Sequence, residues 1–105
     1  MELLQVSTTT ADHGSAMTIA RALIEQRLAA CVQISGPIES VYRWKGAVEA
    51  SQEWACTAKT TRDAYPRVER RIRELHSYDE PEIIATAIIT GSESYLKWVQ
   101  EAVEE

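Results

Sequence analysis

His76-Ser77-Tyr78-Asp79-Glu80-Pro81-Glu82-Ile83-Ile84 joins a helical pattern to a strand pattern, and this junction sets how the rest of the chain divides. Behind it, Tyr65, Val68, Ile72 and Leu75 recur at helical spacing, with Arg67, Arg70, Arg71 and Arg73 mixed with Glu69 and Glu74 on the other face. Apolar residues so spaced form one stripe of an amphipathic helix, and charges of mixed sign opposite them belong in solvent with local ion pairs. Asp63 is placed to cap this helix, with Pro66 tolerated in its first turn. Ahead of the junction, Ile83 to Thr90 reads as a strand that is apolar on both faces. Ile83, Ala85, Ala87 and Ile89 point one way; Ile84 and Ile88 point the other with two threonines. A sheet with helices on one side only would leave half of that strand wet, so something must cover its second face.

The same two periodicities organise the residues before Asp63. Met1 to Thr10 is a strand, with Leu3, Leu4 and Val6 leading into the hydroxyl run Ser7 to Thr10. Asp12 caps a helix of about four turns whose stripe is Met17, Ala20, Ile24 and Leu28, flanked by Ala16, Leu23 and Arg27. Cys31 to Ile34 resumes strand character, and Gly36-Pro37 implies a bend or bulge, because proline cannot donate to a ladder. Ile38 to Lys45 alternates, with Ile38, Ser40, Tyr42 and Trp44 on one face. Gly46 lies close to a hairpin tip, and the return strand runs from about Val48 to Thr60. Strands this long imply a hairpin that projects beyond the sheet. Ser92 caps a third helix with Tyr95, Leu96, Val99 and Val103 inward; Glu101, Glu104 and Glu105 put the wrong charge at its C-terminus, which should fray.

The predicted order is β-α-β-β-α-β plus a terminal helix, the α+β ferredoxin-like arrangement. Right-handed crossovers put both main helices on one sheet face. The simplest cover for the other face is another copy of the chain, since most soluble oligomers are homo-oligomers.

Composition narrows the function classes. The chain has 105 residues and no linker or low-complexity tract, so residues 1–105 are expected to form one domain burying roughly 65% of its unfolded surface. Hydrophobic residues make up 45% and charged residues 26%, as in an ordinary globular domain. A formal net charge of -5 argues against nucleic-acid and anionic-membrane partners, which need a positive field. No stretch approaches the roughly 18 apolar residues of a membrane span, and Glu2 opens a terminus without the basic start of a leader. Cys31 and Cys56 are isolated and match neither a disulfide framework nor a zinc spacing, so a reducing cytoplasm is expected. Both should pack as small hydrophobes.

The candidate site residues follow from their chemistry. His76 is one of only two histidines and sits close to Asp79 and Glu82, so His76, Glu82 and Asp79 form the candidate metal set. A histidine ending a helix can instead satisfy backbone groups. Lys59 follows an apolar run and needs an acid if it points inward; Glu82 is the expected partner. Alternatively Lys59, Tyr78 and Glu82 line a small-ligand pocket between subunits. Tyr42, Trp44 and Trp54 suit a subunit interface, where aromatics are enriched. No Ser-His-Asp set, phosphate-cradling glycine loop or metal-hydrolase spacing is present, so the chain is not expected to be an enzyme.

Several ordered motifs resemble the CutA divalent-cation tolerance proteins from about Leu3 to Trp98. They are Leu28-Ala29-Ala30-Cys31-Val32, Ser40-Val41-Tyr42-Arg43-Trp44-Lys45-Gly46, Glu53 with Lys59-Thr60, His76-Ser77-Tyr78-Asp79-Glu80-Pro81-Glu82-Ile83, and Gly91 with Tyr95-Leu96-x-Trp98. The resemblance implies a very stable homotrimer with a fold like the PII signalling proteins, and a link to copper and other divalent metals. It also associates copper with a first-strand cysteine and two consecutive histidines. The matching positions are Ser7, Leu75 and His76, and only His76 keeps a ligand. Ser77 replaces the motif's first proline, and Gln33 stands where asparagine is common.

The expected function is a non-catalytic trimer in the response to divalent metal ions. One imidazole with carboxylates lacks the thiolate and second imidazole that favour copper, so Cu(II) or another divalent cation should bind weakly. The alternative is a PII-like regulatory trimer that binds a small ligand.

Overall fold

Leu4, Val6, Thr8 and Thr10 alternate along the first strand, and all four are buried. That alternation orients a sheet with one face turned to the helices. A computed structural model describes residues 2–103. The elements run β1 (Leu3–Thr10), α1 (His13–Glu25), β2 (Cys31–Trp44), β3 (Ala47–Thr61), α2 (Tyr65–Leu75), β4 (Ile84–Ile88) and α3 (Glu93–Ala102). The four strands form an antiparallel sheet in the order β2-β3-β1-β4. Met1, Glu104 and Glu105 lie outside the described residues, and with them part of the expected first strand and of the expected fraying terminus.

Register decides which side chains share a face. Val6 lies opposite Ala58 on one side and Ala85 on the other, so these three point together toward the helices. Over them pack Ala16, Ile19, Ala20 and Leu23 of α1 with Val68 and Ile72 of α2. Thr60 stays in this layer because its hydroxyl donates a 2.6 Å hydrogen bond to the Leu28 carbonyl. On the opposite face stand Leu3, Gln5 and Ser7 with Lys59 and Thr57. The third helix packs against β3, and its Val99 is fully buried.

Four local expectations change. The buried stripe of α1 is Ala16-Ile19-Ala20-Leu23, rotated from the expected one, and Ile24 is 42% exposed. The helix is apolar around more than half its circumference, so periodicity alone does not pick the buried side. Asp12 does cap α1, accepting from the Ser15 amide at 2.7 Å. Asp63 does not cap α2; Ala64 is the cap residue, and the Thr61 hydroxyl accepts from its amide at 3.1 Å. The last strand stops at Ile88 rather than Thr90, because its only ladder partner, β1, offers Leu3 to Ser7. In α3, Ser92 caps as expected, but Tyr95 is 40% exposed.

The hairpin projects, and the molecule measures 45 × 25 × 21 Å. Every residue from Val41 to Ala50 is exposed. The turn is Lys45-Gly46, with φ of 50° and 83°, the two positive values that a two-residue hairpin turn of this hand requires. Gly46 supplies its positive φ without steric cost.

A candidate binding cleft

The bulge expected at Gly36-Pro37 is present and builds the cleft. Ser35 pairs with Ala55 and Ile38 with Glu53, so β2 carries one extra residue there. The extra residue turns the alternation over. Below it, Cys31, Gln33 and Ser35 share a face with Lys59 and Thr57; above it, Ile38, Ser40 and Tyr42 share that face with Glu53, Ser51 and Glu49. The Tyr42 hydroxyl sits 3.2 Å from that of Ser51. Gly36 is required by a close approach: a Cβ there would lie 2.7 Å from the Trp54 ring.

The loop after α2 forms the opposing wall. His76 ends the helix, its amide donating to the Ile72 carbonyl at 2.9 Å. Its ring Nδ1 faces the Tyr78 amide at 3.1 Å and must accept, since an amide only donates. The proton therefore sits on Nε2, which donates to the Thr9 carbonyl at 2.8 Å. Both ring nitrogens fasten the loop to β1. Tyr78 then reaches across and donates to Glu53 Oε2 at 2.8 Å. Burial first, then the bond to Glu53 and its charge, push the Tyr78 phenol up to about 12. Glu53 is only 8% exposed.

Between loop and hairpin lies a cleft of about 780 Å³. It brings together Tyr42, Trp44, Tyr78, Asp79 and Glu82, all candidates from the sequence. It also includes Glu53, which was not among them. The available signal was its place in the motif of Glu53 with Lys59-Thr60, on a strand that heads into the core. The cleft offers aromatic faces and carboxylates, with the Tyr78 hydroxyl bonded to Glu53.

Three expected groupings do not form within the single chain. Lys59 does not meet Glu82 and does not line the cleft; its ammonium donates to Gln33 Oε1 at 2.7 Å, on the lower part of the sheet. Trp54 does not join Tyr42 and Trp44. It lies opposite Thr10 on the helix side, packs against the core, and meets His13 edge-on at 4.9 Å. His76, Glu82 and Asp79 do not converge: among the described residues, no three His, Cys, Asp or Glu side chains gather as a metal site. A resident copper ion does not fit here, because His76 would have to surrender a hydrogen bond that holds the loop. The cysteines also divide. Cys56 is in the core, and burial pushes its thiol up to about 11. Cys31 is only partly buried and lies on the other face, within reach of the Tyr95 hydroxyl.

The chain matches the model of the CutA1 divalent ion tolerance protein family over residues 4–102. The divalent-cation tolerance protein CutA of Thermus thermophilus is 48% identical over 86 residues, 82% of this chain and 84% of that protein. Human protein CutA is 39% identical over 89 residues, 85% of this chain and 50% of that protein, so the chain spans about half the length of this relative. Among solved structures, a divalent cation tolerance protein of Thermus thermophilus superposes with a TM-score of 0.94 at 43% identity, covering 99% of this chain and 100% of that one. The CutA1 structure from a psychrotrophic Shewanella species gives a TM-score of 0.96 at 39% identity, covering 99% and 97%. By sequence and by fold, this chain belongs to the CutA1 divalent ion tolerance family.

Proposed function

We propose that the chain works as a non-catalytic homotrimer, ferredoxin-like in each subunit and PII-like in assembly, that takes part in tolerance of divalent metal ions. The family match over residues 4–102 carries the functional reading, since it takes in both the hairpin and the loop that wall the cleft. Exposed apolar side chains support assembly. Val41 and Val48 are 72% and 67% exposed on one face of the hairpin, and Tyr42 and Trp44 stand on the other. At the far sheet edge Ile84 is 54% and Ile89 93% exposed. Apolar surface so concentrated marks an interaction site. Light scattering of the purified protein should report three chains, and a monomer at micromolar concentration refutes the assembly.

Copper belongs to this reading as a transient ligand at the loop of His76, Asp79 and Glu82. A Cu(II) titration with a competing chelator should show weak binding, largely lost in His76→Ala with the trimer intact. Tight stoichiometric copper that survives His76→Ala would move the site to Cys31 or Cys56. The free thiols support a reducing compartment such as the cytoplasm. Among the described residues no helix is long and apolar enough to cross a membrane.

A second reading is favoured by the cleft itself: a PII-like regulatory trimer that binds a small ligand. Tyr78 and Glu82 remain its candidate contacts, joined by Glu53 in place of Lys59. The volume of about 780 Å³ lies within the range of about 300–1,000 Å³ typical of small-molecule sites.

A further inference from the structure

The sheet has two free edges, and they are unlike. In the order β2-β3-β1-β4, the outer strands β2 and β4 each have a ladder partner on one side only. A bare edge pairs readily with another chain, so proteins blunt such edges with charges, prolines, bulges or a covering element. β4 and the two residues after it, Ile84-Ala85-Thr86-Ala87-Ile88-Ile89-Thr90, carry no charge, no proline and no glycine. No bulge interrupts the pairing of β4 with β1. Ile84 is 54% and Ile89 93% exposed, so the described residues leave this edge uncovered. Its end is also unfinished. The strand pattern continues to Thr90, but the ladder stops at Ile88, where β1 runs out. A neighbour on the outer side would supply the missing partner.

The other edge matches in length and in sense. Gly36-Pro37 interrupts β2. Above the interruption its free edge runs seven residues, 38–44, the same number as residues 84–90; below it, residues 31–35 offer five. Each neighbouring pair of strands in the sheet is antiparallel, so β2 and β4 run in opposite senses. Rotation about an axis keeps the sense of every strand along that axis. β4 of one copy and β2 of the next therefore meet antiparallel, the somewhat more stable ladder. Pairing unlike edges is a heterologous contact, which builds rings, whereas like edges paired on a two-fold axis stop at dimers.

We propose that residues 84–90 of each copy pair antiparallel with residues 38–44 of the next, joining the three sheets edge to edge and extending β4 to Thr90. The proposal rests on the homotrimeric reading above and names the surfaces that build it.

Cysteine cross-linking of the full chain tests it, in a Cys31→Ser background. Thr86 lies opposite Gln5, and Gln5 opposite Lys59, on the sheet face that Ile38, Ser40 and Tyr42 share above the bulge. Thr86→Cys is combined in turn with Ile38→Cys, Ser40→Cys and Tyr42→Cys. On oxidation at least one combination should give a covalent species that stops at three chains on a non-reducing gel. Thr86→Cys with Gln33→Cys, on the lower part of β2, should give none. A second measurement uses proline. Backbone N–H groups alternate sides along a strand, so either Ile89→Pro or Thr90→Pro removes an outward donor. Both positions lie beyond their own chain's ladder, so both variants should keep the helical signal. One of them should raise the concentration of half-dissociation, followed by light scattering, about tenfold or more, the scale of a hydrogen bond lost at every edge. Cross-linked dimers from Thr86→Cys alone would mean that like edges meet, and a link through Gln33→Cys would put the partner below the bulge; either overturns the proposal. A protein of three chains that forms no link and tolerates both prolines overturns the edge pairing and leaves the homotrimer standing. A monomer at micromolar concentration, or an open polymer, overturns both.

Discussion

Below Gly36, the paired strands β2 and β3 are part of a covered sheet; above it they are a bare ribbon. In the lower half, Cys56 and Ala58 are each 2% exposed beneath α1 and α2. In the upper half, no residue from Val41 to Ala50 is buried, although the ladder continues without a break from Ile38–Glu53 to Trp44–Ala47. The backbone pairing is the same, and the side-chain burial differs completely. A two-stranded ribbon in water is marginal by itself. The lower half therefore owes its stability to its own chain, whereas the stretch from Val41 to Ala50 has little beyond its backbone pairing and the Tyr42–Ser51 contact until something covers it.

The largest test of this contrast is in the covered half. Leu23→Ala removes a fully buried side chain and should destabilise folding by about 2–5 kcal/mol in a denaturant titration. A loss below about 1 kcal/mol would mean that the core collapses around the gap. Next comes the boundary. Gly36→Ala forces a methyl to 2.7 Å from the Trp54 ring, and should cost about 1–3 kcal/mol by overpacking. Unchanged stability would show that Trp54 can swing aside. In the bare half, Trp44→Ala should alter the folding free energy of the single chain by only about 0.5 kcal/mol, the usual scale for a surface position. It should nonetheless dissociate the proposed trimer at lower denaturant than the loss of helical signal. Coincident loss of helix and assembly would make the two halves one cooperative unit. The smallest effect is a pH effect at the start of α1. The Ser15 amide bond, above all other causes, holds the Asp12 carboxyl below the ordinary carboxylate range. A depressed folded-state value means that the cap is at full strength above about pH 4 and is lost as pH falls through the lower value. Hydrogen exchange at Ser15 should rise on that acidification while hairpin amides keep their protection pattern.

The order of elements was legible because each carries one dominant period. Val68 and Ile72 read as a helix face and are buried; the projecting hairpin followed from the length of its alternation and the position of Gly46. What escaped was set across the sheet. Lys59 needs an acceptor, and composition suggested Glu82, but register places Gln33 near it. The pairing of Trp54 with Thr10, and so its separation from Trp44, depends equally on register. His76 was legible by type and by its place at a helix end, where satisfying backbone groups is one of its two expected roles; only the fold identifies those groups as Thr9 and Tyr78. Glu53 was legible as a motif residue, but both strands and the loop had to be in place before it stood out on the cleft wall.

The extra residue at Gly36-Pro37 governs the direction of the ribbon, not its facing. Ser35 and Ile38 stand on one side of the ladder, opposite Ala55 and Glu53, although an odd number of positions separates them. Deleting one residue between them would leave an unbroken ladder with the same pairs, so Tyr42 and Trp44 would keep their side. What would be lost is the local bend and extra twist that a bulge gives its strand, and with them the angle at which the ribbon leaves the sheet.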